Sequence, residues 1–156
     1  MASIPLLLLR GTGLALLAAV AACQSVAGAP AVAASARFQC GPTDDVELAL
    51  VIPAPASTDE AHGVLHVTLG SEQWLTLRGG AKTLTVVVGD SIPAESARWC
   101  MSEDDCETPD RLEFAFERAS LQPQGELAGS VEIHKGHTSV ALPVNVRVEA
   151  NPHRCG

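Results

Sequence analysis

Two short segments combine residue types that could do chemistry. In the first, Cys100-Met101-Ser102-Glu103-Asp104-Asp105-Cys106-Glu107 sets three consecutive carboxylates between two cysteines, with Asp110 just beyond. A bridge between the cysteines would hold Glu103, Asp104 and Asp105 on a small closed loop. Such a loop, with Glu107 and Asp110 beside it, could offer oxygens to Ca²⁺, which takes about six to eight, or present charge to a protein partner. It has neither the spacing nor the glycine of an EF-hand. A solvated acidic loop, stapled against proteolysis, is the plainest outcome of the same residues.

In the second segment, His134 and His137 flank Lys135-Gly136. If Lys135 and Gly136 make a two-residue hairpin turn, the two imidazoles face each other about 5 Å apart. Glu132 then shares the face of His134, and two imidazoles with a carboxylate form a ligand set for Zn²⁺. Histidines exposed at a polar hairpin tip are the commoner result of this pattern. His62, His66 and His153 are scattered, and His66, inside an alternating stretch, reads as an ordinary strand residue. Beyond these Zn²⁺ and Ca²⁺ readings no cofactor is expected.

Other chemistry finds little support. There is no G-x-S-x-G nucleophile elbow, and no phosphate-cradling glycine loop leads into a helix. The chain has no Tyr, and its aromatic residues are Phe38, Trp74, Trp99, Phe114 and Phe116. Carbohydrate stacking would need Trp74 or Trp99 on the surface, whereas Phe114 and Phe116 alternate with glutamates and read as core.

The elements that must position these residues are strands. Val46, Leu48, Leu50 and Ile52 recur with period two, as do Leu112, Phe114 and Phe116, and again Val144, Val146 and Val148. Strict alternation is the pattern of strands buried on one face. Further candidates are 63–69, 73–77, 83–88, 97–101, 127–133 and 138–142. Turn chemistry falls between them at 78–81, 123–125 and 135–136. Residues 53–60 read as an exposed loop and 93–97 as one helical turn, with no longer helix. Pro143 should mark a sheet edge, a bulge or a crossing between sheets. The expected fold is all-β: a small antiparallel β-sandwich of about eight or nine strands, immunoglobulin-like in layout by analogy only.

Five cysteines are present. Cys23 belongs to the N-terminal signal discussed below, which leaves Cys40, Cys100, Cys106 and Cys155. Four cysteines allow three pairings. Cys100 with Cys106 and Cys40 with Cys155 are expected, the second clasping the two ends of the domain; Cys100 with Cys155 is the main rival. The longer bridge should constrain the unfolded chain by roughly 4 to 5 kcal/mol. Disulfides imply an oxidising compartment.

Residues 6–22 are nearly all Leu, Ala, Val and Gly, interrupted by Arg10. That length suits a cleavable signal segment rather than a membrane span, which takes roughly 20 apolar residues. Val20-Ala21-Ala22-Cys23 resembles the lipobox of bacterial lipoproteins, in which an aliphatic residue and two small ones precede an acylated cysteine. The resemblance implies cleavage before Cys23, lipid on Cys23 and a membrane anchor; Gln24 after it resembles lipoproteins sorted to an outer membrane. Ordinary secretory cleavage after Ala34-Ser35-Ala36, which would free the chain, is the competing reading, and a retained anchor the third. Residues 23–36 are small and low in complexity and read as a flexible spacer, and 37–156 as a single domain.

Removing residues 1–22 takes away Arg10 alone among the charged groups, leaving 9 Lys and Arg against 18 Asp and Glu, a net of −9. Nucleic acid and electrostatic attachment to anionic membranes both want a basic patch and are not expected. The leading expectation is a non-catalytic envelope lipoprotein that presents its β-sandwich to an unidentified protein partner. The alternatives are a metal-binding or metal-dependent enzymatic domain using Glu132, His134 and His137, and an inhibitor of a hydrolase, for which a basic enzyme would suit the acidic surface.

Overall fold

The alternation of apolar residues produces two antiparallel sheets whose inner faces meet. In this computed structural model, which describes residues 32–55, 63–149 and 155, nine strands form: β1 Ser35–Cys40, β2 Val46–Pro53, β3 Val64–Leu69, β4 Thr83–Val87, β5 Ala97–Cys100, β6 Cys106–Glu107, β7 Arg111–Ala119, β8 Glu126–Lys135 and β9 Thr138–Arg147. One sheet has the order β1-β2-β3-β5-β6 and the other β4-β7-β8-β9, and neither closes into a barrel. The described residues belong to one compact unit, Ala31–Gly156.

Leu48, Leu50 and Ile52 of β2 and Leu65, Val67 and Leu69 of β3 point inward from the first sheet. They meet Leu84 and Val86 of β4, Leu112, Phe114 and Phe116 of β7, and Leu142, Val144 and Val146 of β9 in one continuous core. Phe114 and Phe116 lie parallel with centroids 5.6 Å apart. Burying side chains of this size is the main favourable term in holding the sheets together.

Where the sequence pattern and the structure differ, the reason is local. Residues 73–77, expected as a strand, belong to a helix, α1 Ser71–Arg78. Its buried positions are Gln73 and Leu77, four apart, while the intervening Leu75 is 49% exposed. Gly79 and Gly80 end it, donating to the carbonyls of Leu75 and Leu77 at 2.9 and 3.0 Å. Packing of Leu77 into the core and of Trp74 against it stabilises a helix too short to form by propensity. Residues 138–142 and 144–148, counted as separate stretches, run together as β9 up to Arg147, with Val148 just beyond in an isolated bridge. Pro143 is accommodated there because β9 is a sheet edge, one of the outcomes it predicts. The helical turn at 93–97 is a 3₁₀ turn, Ala94–Ser96.

β1 starts at Ser35, two residues before the domain boundary drawn at Arg37. Ala36 is fully buried, bridges Val148 in parallel, and accepts the Glu149 amide at 2.8 Å. Both expected disulfides form, Cys40–Cys155 and Cys100–Cys106. Residues 56–60 of the expected loop lie outside the described residues.

Candidate functional site

The stapled acidic loop leaves the edge of the first sheet. Cys100 and Cys106 are paired both across the two-strand ladder β5–β6 and through sulfur. The Met101 amide donates to the Asp105 carbonyl at 2.8 Å, closing the turn. Met101, Ser102, Glu103, Asp104 and Asp105 are all exposed. Among the described residues none of the three loop carboxylates has an ion pair, and they do not converge as a ligand group.

Glu107 is exposed on β6, opposite Trp99. Asp110 turns away from the loop to serve the neighbouring hairpin. Its Oδ2 accepts the Gly136 amide at 2.6 Å and its Oδ1 lies 3.6 Å from Lys135 Nζ. The Gly136 amide holds its carboxyl below the usual value, against an opposing desolvation and with the charge and hydrogen bond of Lys135 assisting. Lys135 Nζ in turn donates to the Thr108 carbonyl at 2.6 Å, which moors the segment between the loop and β7 to the tip of β8 and β9.

That hairpin turns one residue later than its sequence suggests. Lys135 pairs with Thr138, so Gly136 and His137 are the turn residues. Gly136 has φ +57° and His137 a negative φ, the combination a type II′ turn requires, with glycine first. The shift separates the two histidines expected to face each other: His134 lies opposite Ser139, and His137 is exposed at the tip. A different third residue joins Glu132 and His134. Glu113 of β7 is directly opposite Glu132 of β8, and His134 Nε2 stands 3.8 Å from Glu113 Oε2 and 3.8 Å from Glu132 Oε1. One potential ligand atom from each of the three residues lies within 4.8 Å of the others. Nε2 is shielded from solvent and has no hydrogen-bond partner. Arg111 Nε, also on β7, holds the other oxygen of Glu113 at 3.1 Å.

A third feature, unremarked in the sequence, is a groove of about 590 Å³ between α1 and the turn joining β7 to β8. Trp74 and Phe38 meet edge to face on its wall, centroids 5.4 Å apart, and the indole donates to the Val46 carbonyl at 2.8 Å. Arg78, Leu121, Pro123 and Glu149 also line it. The volume lies in the range of small-molecule sites. Its signal was hidden because Trp74 sits in a helix read as a strand.

His66 is exposed on β3 opposite Arg98 of β5. Partial burial, and then the charge of Arg98, hold its imidazole below its ordinary pKa. Cys23, His62 and His153 lie outside the described residues. No protein-family model, curated protein or solved structure matches this chain.

Proposed function

We propose that the chain is a lipid-anchored protein of a bacterial cell envelope that performs no chemistry of its own and uses its stapled loop to hold a partner protein with a basic surface. The observation that carries this reading is the loop itself. A disulfide and a backbone hydrogen bond fix five exposed residues, three of them consecutive carboxylates that have no ion pair among the described residues. Met101, 51% exposed, adds apolar contact beside the charge. Fixing a loop before binding reduces the ordering cost on association, and the excess of acidic residues favours encounter with a basic partner.

The anchor through Cys23 is favoured over cleavage after Ala36 by the packing of Ala36. A cut there would remove a fully buried residue and the acceptor for the Glu149 amide. Cleavage before Cys23 leaves β1 intact, and an acylated cysteine gives a lasting tether because each buried methylene contributes about 0.8 kcal/mol.

Two measurements test the reading. Intact mass of membrane-extracted protein should show an acylated N-terminal Cys23; a chain starting at Arg37 removes the anchor. Crosslinking in the native envelope, read by mass spectrometry, should yield a partner that the E103Q/D104N/D105N variant no longer captures. Unchanged capture by that variant refutes the loop contact. Loss of activity of a captured basic hydrolase on adding the protein would narrow the reading to inhibition.

A further inference from the structure

We propose that Glu113, Glu132 and His134 form a binding site for one divalent cation of the zinc type on the outer face of the second sheet. The site is distinct from the stapled loop and does not depend on the function proposed above.

Carboxylates directly opposite each other on adjacent strands repel. Glu113 and Glu132 occupy such a pair, and a positive charge between them relieves the repulsion. The His134 ring places Nε2 at equal distance from both, 3.8 Å. That distance is too long for a hydrogen bond, so Nε2 is shielded from water yet unsatisfied, an arrangement that costs stability in the absence of a partner. The spacing suits a shared ion better. Four ligand atoms arranged tetrahedrally about zinc, each about 2.1 Å away, are separated by about 3.4 Å. Side-chain rotations must close the difference from 3.8 Å at the imidazole and from at most 4.8 Å between the ligand atoms as a set.

Position and chemistry agree with this assignment. β7 and β8 are the two inner strands of their sheet, so the backbone beneath all three residues is braced on both sides. Arg111 binds Glu113 Oε1 and leaves Oε2 facing His134, the kind of outer contact that orients a ligand. One imidazole nitrogen with two carboxylate oxygens suits zinc and related divalent ions, whereas Ca²⁺ and Mg²⁺ favour all-oxygen sets. Three protein ligands leave a coordination position open. The glutamate side chains are 41% and 45% exposed, so that position faces solvent.

The test is a zinc titration by calorimetry of the full chain, produced in an exporting host and purified without immobilised metal, beside the variants H134A, E113Q, E132Q and H137A. One zinc per chain is expected. Affinity should fall by about tenfold or more in each of the first three variants and be retained in H137A. Melting curves in EDTA check that the variants fold. Protection of His134 from diethyl pyrocarbonate by zinc in the unaltered chain, mapped by mass spectrometry, gives the same decision without a substitution. No stoichiometric binding at millimolar zinc overturns the proposal. So does binding that survives H134A, or a His134 that zinc fails to protect.

Discussion

Asp110 stands four residues beyond Cys106, yet its carboxylate belongs to the β8–β9 hairpin, through the Gly136 amide and Lys135. Its folded-state pKa is lowered from 3.8, so its contribution to stability is complete above pH 3.8 and is lost as pH falls through the lower folded value. D110A should therefore melt below the unaltered chain at neutral pH, and the gap should close under strong acid. Hydrogen exchange at the Gly136 amide should rise in the variant at neutral pH. At this scale the sequence was partly legible. Alternation identified Leu48, Leu50, Ile52, Phe114 and Phe116 as core, all of which are buried. The hairpin pattern around Lys135-Gly136 named Glu132 and His134, but Glu113 was hidden, because choosing it requires the pairing of β7 with β8. His137 was misplaced because a turn one residue later replaces it with Ser139 opposite His134.

The pairing of β7 with β8 is set by an irregularity that no periodicity reports. Phe116 pairs with Gly129 and Arg118 with Ala128, leaving Glu117 as an extra residue. Register counted from Arg118 without that residue would set Glu113 against Ile133, on the wrong face for Glu132. Gly129 makes the bulge possible. It adopts φ +156°, and a Cβ there would collide with the Ala115 carbonyl oxygen. G129A should lower stability by about 3 kcal/mol, read as a shift in denaturant midpoint, and should weaken any zinc binding by displacing β7 against β8. The helix α1 was illegible for a related reason. Gln73, Leu75 and Leu77 alternate like a strand, and only burial four residues apart, with the buried Gln73 amide donating to the Ser91 carbonyl at 3.0 Å, distinguishes the helix.

Across the whole molecule the two disulfides do different work. Cys40 and Cys155 are 115 residues apart and Cys100 and Cys106 only 6. On the chain-entropy model the bridges restrict the unfolded state by about 5 and about 2 kcal/mol. The C40S/C155S variant should thus lose more melting temperature than C100S/C106S, whereas loss of the short bridge should chiefly loosen the loop, seen as faster proteolysis between residues 101 and 105. The reverse order of melting temperatures would show that loop length does not govern their contributions. The sandwich and the presence of two bridges were readable from alternation and cysteine count, because both depend on residue type, whereas choosing among the three pairings needed the ends and the short loop to be placed. What escaped depended on register.

The Cys40–Cys155 bridge also sets how the domain answers force. A pull between the two ends of the chain enters at Ser35, where β1 lies at the edge of its sheet, and begins to peel that strand from β2. Unravelling from that side stops at Cys40, where the load crosses sulfur to Cys155. The stretch between the two sulfurs, with the core, the stapled loop and the Glu113–Glu132–His134 cluster, stays out of the load path. The domain can be tugged end to end without being unspooled.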